Sequence, residues 1–178
     1  MYYVLITVCI LFVLLLLFLF FVSQKPNTFR YEREATFNVP PEKIFPVLND
    51  FHQWQIWSPW EKLDPNMTRT HSGNEAGVGA IYSWEGNKKV GEGRMEILES
   101  HPSSKLIIKL DFIKPFQASN ISEFHLKPTG TGTHITWAMH GAQPFMSKLM
   151  CTLINLDKLI GKDFETGLNN LKTHVEAK

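Results

Sequence analysis

Tyr2 to Val22 is an apolar stretch without a single charge, and it constrains the chain more than any other segment. At about 1.5 Å per residue, a helix of roughly 20 residues crosses the roughly 30 Å hydrocarbon core of a bilayer, where only a helix or a closed barrel satisfies the backbone. The stretch therefore predicts a membrane anchor over residues 1–23. A cleaved signal peptide would show a basic start, a shorter apolar core and a small-x-small cleavage site. Met1-Tyr2-Tyr3 and Phe20-Phe21-Val22-Ser23 supply none of these. Lys25, Arg30 and Arg33 follow the span and no basic residue precedes it. A single-pass protein with that bias keeps its remaining chain on the cytoplasmic side.

Beyond a linker at 24–28, marked by Pro26 and Asn27, residues 29–178 suit one domain with its own core. The formal net charge is +1 with acids and bases interspersed, which excludes the basic footprint of a nucleic-acid binder. Cys9 lies in the apolar span and Cys151 in the globular part, so no intrachain disulfide is expected. Metal-ligand spacings, phosphate-binding glycine loops and nucleophile elbows are absent from the sequence, and neither a metal nor another cofactor is expected.

Alternation begins at Phe29, where Tyr31, Ala35, Phe37 and Val39 interleave with Glu32, Glu34, Thr36 and Asn38, predicting a strand over 29–39 whose inward set Arg33 interrupts. Pro40-Pro41 ends it, and Pro41 suits the first position of a helix carrying Ile44, Phe45, Leu48 and Phe51. Pro46 lies too deep for a first turn and predicts a kink or a break, giving two short helices, the second bearing Trp54 and Trp57. Six antiparallel strands follow at about 67–71, 80–85, 90–100, 105–112, 118–127 and 133–140, separated by Gly, Pro, Asn and Ser turns. The stripe Leu149, Leu153, Leu156, Ile160, Phe164, Leu168, Leu171 and Val175 then predicts one long helix over 145–175.

These elements describe an α+β chain: a membrane helix, then a curved antiparallel sheet of about seven strands, two short helices after the first strand, and a long C-terminal helix packed across the sheet. The chain resembles the SRPBCC superfamily, the START-related helix-grip fold that includes polyketide cyclase/dehydrase and lipid transport-like domains. The resemblance rests on Val39-Pro40-Pro41-Glu42-Lys43-Ile44-Phe45, Trp54-Gln55-Ile56-Trp57-Ser58-Pro59-Trp60 and Tyr82-Ser83-Trp84-Glu85-Gly86-Asn87. Gly77-Val78-Gly79, Gly91-Glu92-Gly93, Gly132-Thr133-His134-Ile135-Thr136-Trp137 and Gly161-Lys162-Asp163-Phe164-Glu165-Thr166-Gly167-Leu168 extend it. What it implies is a hydrophobic cavity between sheet and C-terminal helix, for a lipid or another apolar small molecule. No single motif is specific, and the superfamily hosts many activities.

Inward strand positions are large and aromatic or flexible, and Gly91 and Gly93 share the parity of Met95, leaving room beside wide side chains. The same residues also suit a filled core, with the glycines marking curvature or bulges. Only the resemblance favours a cavity, and it makes Trp57, Tyr82, Trp84, Met95, Leu110, Phe112, Phe124, Trp137, Met139, Leu149 and Leu153 the candidate lining. Tyr82 offers the one polar handle. Trp54, Trp57 and Trp60 plug the sheet rim, guard the cavity mouth or dip into the membrane interface. The first half of the last helix, apolar over more than one face, suits covering a ligand, touching bilayer or burial on two sides.

Catalytic residues do not emerge. His125 and His134 fall on the outer face of the last hairpin, the orientation of His140 is open, Asp111 points outward, and Glu99 sits at a strand end. The leading expectation is a membrane-anchored, non-enzymatic binding protein holding a lipid or isoprenoid-like ligand. A cyclase/dehydratase-like enzyme and a protein-interaction module of the chaperone-associated kind are the alternatives, and the sequence identifies no protein partner.

Overall fold

In the computed structural model, which describes residues 1–177, helix α1 (Tyr2–Ser23) leads into strand β1 (Thr28–Phe37). Helix α2 (Pro41–Asn49), a short 3-10 turn (Phe51–Gln53), helix α3 (Trp54–Trp57) and a second 3-10 turn (Pro59–Lys62) follow. Strands β2 (Thr68–Gly73), β3 (Ala80–Glu85), β4 (Glu92–His101), β5 (Lys105–Lys114), β6 (Ala118–Pro128) and β7 (Thr133–Ala142) precede helices α4 (Phe145–Leu153) and α5 (Leu156–Glu176). The seven strands form one antiparallel sheet in the order β1-β7-β6-β5-β4-β3-β2. Consecutive hairpins build it from β2 to β7, and β1 returns beside β7 with Thr28 opposite Ala142 and Phe37 opposite Thr133. The ladder between β4 and β5 slips near Gly93 and again between Ile97 and Glu99, and such bulges bend a sheet. The fold is an α+β helix-grip, as the element order predicts.

Helix α1 is fully apolar, with a mean hydropathy of 3.4 in its best window, and it is long enough to cross a membrane. By length and composition alone, a span and an N-terminal signal sequence satisfy that test equally.

Two helix breaks differ from expectation. Helix α2 runs through Pro46 and ends at Asn49, because the break is made by Asp50, whose side chain accepts the His52 N–H at 2.8 Å and starts the next turn. The single C-terminal helix expected over 145–175 is two helices. Ile154 is extended, and Asn155 opens α5 by accepting the Lys158 N–H at 2.9 Å. That is an N-cap hidden inside a continuing apolar pattern.

Helix α5 lies across the concave face with Phe164, Leu168, Leu171 and Val175 buried. Each such burial contributes about 1.5–3 kcal/mol. Arg33, inward on β1, reaches the same helix and donates to Asp157 Oδ1 at 3.1 Å, the Asp157 carbonyl at 3.0 Å and Glu165 Oε1 at 2.9 Å. Exposed ion pairs contribute only about 0.2–1 kcal/mol. The apolar stripe therefore holds α5, and Arg33 fixes where it sits.

Candidate functional site

The five tryptophans of the chain gather on the concave face. Trp137 of β7 stacks on Phe164 of α5, with centroids 4.1 Å apart and planes 8° from parallel. Trp60 meets the edges of both rings, at 5.8 and 6.2 Å. Between this cluster and the far half of the sheet lies a partly enclosed cavity of about 220 Å³. Its wall is overwhelmingly apolar.

Of the candidate lining residues, Tyr82 and Trp84 of β3, Met95 of β4, and Leu110 and Phe112 of β5 border the cavity. Trp137 and Met139 of β7 border it as well, and Ile160 and Phe164 of α5 close the opposite side. Four candidates lie elsewhere. Trp57 and Phe124 are fully buried behind the wall, their rings 6.2 Å apart, as part of the core under the tryptophan cluster. Leu149 and Leu153 sit on α4, which the break at Ile154 separates from α5, and Leu153 is 71% exposed. The expected room beside Gly91 and Gly93 is also taken. Gly91 is a turn residue at φ +66°, with the Lys114 carbonyl where a Cβ would stand, and the Trp84 ring lies where the Cβ of Gly93 would be. That ring forms the cavity wall at this point.

The polar content is richer than one tyrosine. The Tyr82 hydroxyl donates to Glu61 Oε1 at 2.5 Å, and Arg69 Nε donates to Glu61 Oε2 at 2.8 Å. Glu61, 8% exposed, comes from the 3-10 turn after Trp60, whereas Arg69 comes from the outermost strand β2. Burial, and then the bond to Glu61, push the Tyr82 hydroxyl far above its ordinary pKa, so it stays protonated and acts as a donor. Across the cavity, burial lifts the Asp163 carboxyl above its usual value, partly opposed by a hydrogen bond from Trp60. Ser122 of β6 borders the cavity and accepts the Trp137 indole N–H at 3.0 Å. Sequence reading passed over Glu61 and Asp163. The signal present for each was a carboxylate inside an otherwise apolar or aromatic segment, Trp57-Ser58-Pro59-Trp60-Glu61 and Leu159-Ile160-Gly161-Lys162-Asp163-Phe164.

The histidines stand apart from the cavity. His125 lies 3.3 Å from Glu123 and His134 lies 3.4 Å from Glu34, all on the outer face of the sheet. His140, left open by the sequence, pairs with Arg30 across β1 and β7 on that same face. Asp111 accepts from Ser119 at 2.6 Å, and Glu99 is exposed beside Lys105. Among the described residues no group of three or more His, Cys, Asp or Glu is placed to hold a metal ion.

A cavity walled by apolar side chains, with a few polar groups at fixed points, is the usual design of a small-molecule site. Its volume is below the roughly 300–1,000 Å³ of pockets that take drug-sized ligands. As it stands, it fits a compact apolar molecule or one branch of a longer one.

Solved structures share this architecture. Protein MLL2253 from Mesorhizobium loti superposes with a TM-score of 0.63 at 18% identity, covering 84% of this chain and 98% of that one. Protein CV1439 from Chromobacterium violaceum gives 0.56 at 18% identity over 85% and 99%. The di-domain ARO/CYC StfQ from the steffimycin biosynthetic pathway gives 0.60 at 10% identity, covering 84% of this chain and 51% of that one. At these identities the likeness concerns the fold. Among curated proteins nothing matches this sequence. The family described as polyketide cyclase / dehydrase and lipid transport matches residues 28–176, nearly everything after the apolar helix. With that match and the helix-grip fold together, the chain belongs to this family, within the SRPBCC superfamily.

Proposed function

We propose that this protein is a membrane-anchored binding module that takes an apolar molecule from the bilayer into the cavity between the sheet and α5. The observation that carries the reading is the cavity itself: Trp84, Met95, Leu110, Phe112, Met139 and Ile160 line it without filling it. Helix α1 serves as the anchor over 1–23, the linker is 24–28, and residues 29–178 form the binding domain. The basic residues Lys25, Arg30 and Arg33 after the span favour the cytoplasmic side for that domain. Anchoring gives the cavity a high effective concentration of anything dissolved in the same membrane. Glu61, Tyr82 and Asp163 supply orientation, each fixed by a partner before a ligand arrives.

The test is native mass spectrometry of the full chain extracted from its own membranes, compared with Leu110→Trp, which fills the cavity. A stoichiometric apolar molecule present in the wild type and lost in the folded variant is the expected result. Equal lipid on both proteins, or none on either, would overturn the cavity reading. Retention of the full chain in membranes after carbonate extraction tests the anchor independently.

One observation favours a second reading, a cyclase/dehydratase-like enzyme: Asp163, its proton held more tightly by burial, faces the same cavity as Tyr82. Such a carboxyl suits general acid chemistry. In that case a bound molecule would leave the wild type chemically altered and leave Asp163→Asn unchanged.

A further inference from the structure

Helix α4 is amphipathic in the opposite sense to a helix facing water. Its lysine, Lys148, is 6% exposed, whereas Met146, Met150 and Leu153 are 65%, 41% and 71% exposed. Steps of four and three put these apolar residues on one face, flanked by exposed Phe145 and Ile154. The helix carries no acidic residue. A contiguous exposed apolar stripe of this kind marks an interaction surface.

Two contacts select its occupant. Lys148 Nζ donates to the Ser23 carbonyl at 3.2 Å and to Asn27 Oδ1 at 2.7 Å. It thereby caps the C-terminal end of α1, where helical carbonyls lack partners and the helix dipole favours a cation. This contact fixes α4 against the point where the apolar helix ends. The sheet register adds a second alignment: Thr28 pairs with Ala142, Gly141 with Asn120, and Ala118 with Phe112, so the β5–β6 turn lies at the same end of the sheet as that junction. Phe116 at its tip is among the most exposed aromatics of the chain.

We propose that α4 lies in the membrane–water interface, with Met146, Met150 and Leu153 among the lipid acyl chains and Lys148 locking it to the end of α1. The occupant of the stripe is the bilayer surface. The proposal rests on reading α1 as a membrane span. It also gives the cavity an orientation: Lys89, Val90 and Phe112 border it near the linker end of the sheet, and Ile160 borders it just beyond the α4–α5 junction. Its apolar ligand then enters from the membrane side without a passage through bulk water.

The test uses the full chain in phosphatidylcholine/phosphatidylglycerol vesicles, with Cys9 and Cys151 replaced and single spin-labelled cysteines placed at Leu14, Met146, Leu153 and Asn169. Collisions with dissolved oxygen report lipid, and collisions with a soluble nickel chelate report water. The expected result is oxygen exceeding nickel several-fold at Leu14, Met146 and Leu153, with the reverse at Asn169 on the polar side of α5. Nickel dominating at Met146 and Leu153 while Leu14 stays in lipid overturns the interfacial placement and spares the span. Nickel dominating at Leu14 overturns the span itself. Protection of Met146 and Leu153 from both colliders would put protein on α4 and overturn the proposal in that way.

Discussion

The hydroxyl of Tyr82 and the carboxylate of Glu61 meet at 2.5 Å, joining the cavity wall to the turn beneath α5, while Arg69 holds the second carboxylate oxygen from the sheet edge. Tyr82→Phe removes one bond to a charged group and leaves the ion pair, so a loss of about 1.5–3 kcal/mol is expected. Arg69→Met leaves a buried carboxylate without its cation, and a loss of about 3 kcal/mol or more is expected. Urea unfolding of both variants checks the order, and an equal or reversed ranking would show that Glu61 is solvated.

The Trp84 ring and, beside it, the Asp111 carbonyl lie where a side chain on Gly93 would stand. Gly93→Ala therefore pushes the indole into the cavity, at an expected cost of about 1–3 kcal/mol. Fluorine-labelled tryptophan should show the Trp84 resonance moving. Gly130→Ala, with nothing within 4 Å of the new methyl group, is the control and stays within about 0.5 kcal/mol of wild type.

Burial raises the Asp163 carboxyl above 3.8, while Trp60 and Lys162 oppose the rise. A native value above the unfolded one means that the native state holds the proton more tightly. Stability from this group then falls as pH rises from the unfolded value through the native value, and is level beyond it. Asp163→Asn, which still accepts from Trp60, removes the penalty. Its stability relative to wild type should climb as pH rises from the unfolded value through the native one, and level off beyond it. A pH-independent difference in urea midpoints would show that Asp163 titrates alike in both states.

Leu110 faces the cavity from β5, opposite Met95. A larger side chain forced into a filled core costs about 1–3 kcal/mol. Leu110→Trp enters open space instead, so a loss below about 1 kcal/mol is expected by denaturant unfolding. A loss in the overpacked range would mean the space is not available to a ring.

Much of this architecture is legible in the sequence because strands announce themselves by alternation and turns by Gly, Pro and Asn. Ala80–Glu85 falls where expected, and the other strands shift by only a few residues. The α4–α5 break was hidden because Leu153 and Leu156 continue a helical step across it, masking Asn155 as a cap. Pro46 was overweighted, since the competing side-chain bond from Asp50 decides where α2 ends. Glu61, Arg69 and Tyr82 come from three elements that only the folded sheet brings together. Pairwise chemistry of that kind leaves no spacing to read. Leu149 and Leu153 illustrate the converse: their apolar stripe lies on α4, away from the cavity lining, because periodicity shows that a face is apolar and not what covers it.

The pairing of β1 with β7 has a consequence for how the molecule is assembled. Thr28 and Ala142 are neighbours in space but lie at opposite ends of the sheet-forming chain, so this ladder closes the longest loop of any strand pair in the sheet. Hairpins from β2 to β7 join residues close in sequence and form early, whereas contacts of high sequence separation come late. As the chain leaves the ribosome, β1 emerges directly behind the apolar helix and waits for its partner until residues 133–142 have followed. Shortening the chain before β7 would therefore leave the first strand, joined directly to the apolar helix, with an unmatched edge rather than yield a smaller working domain.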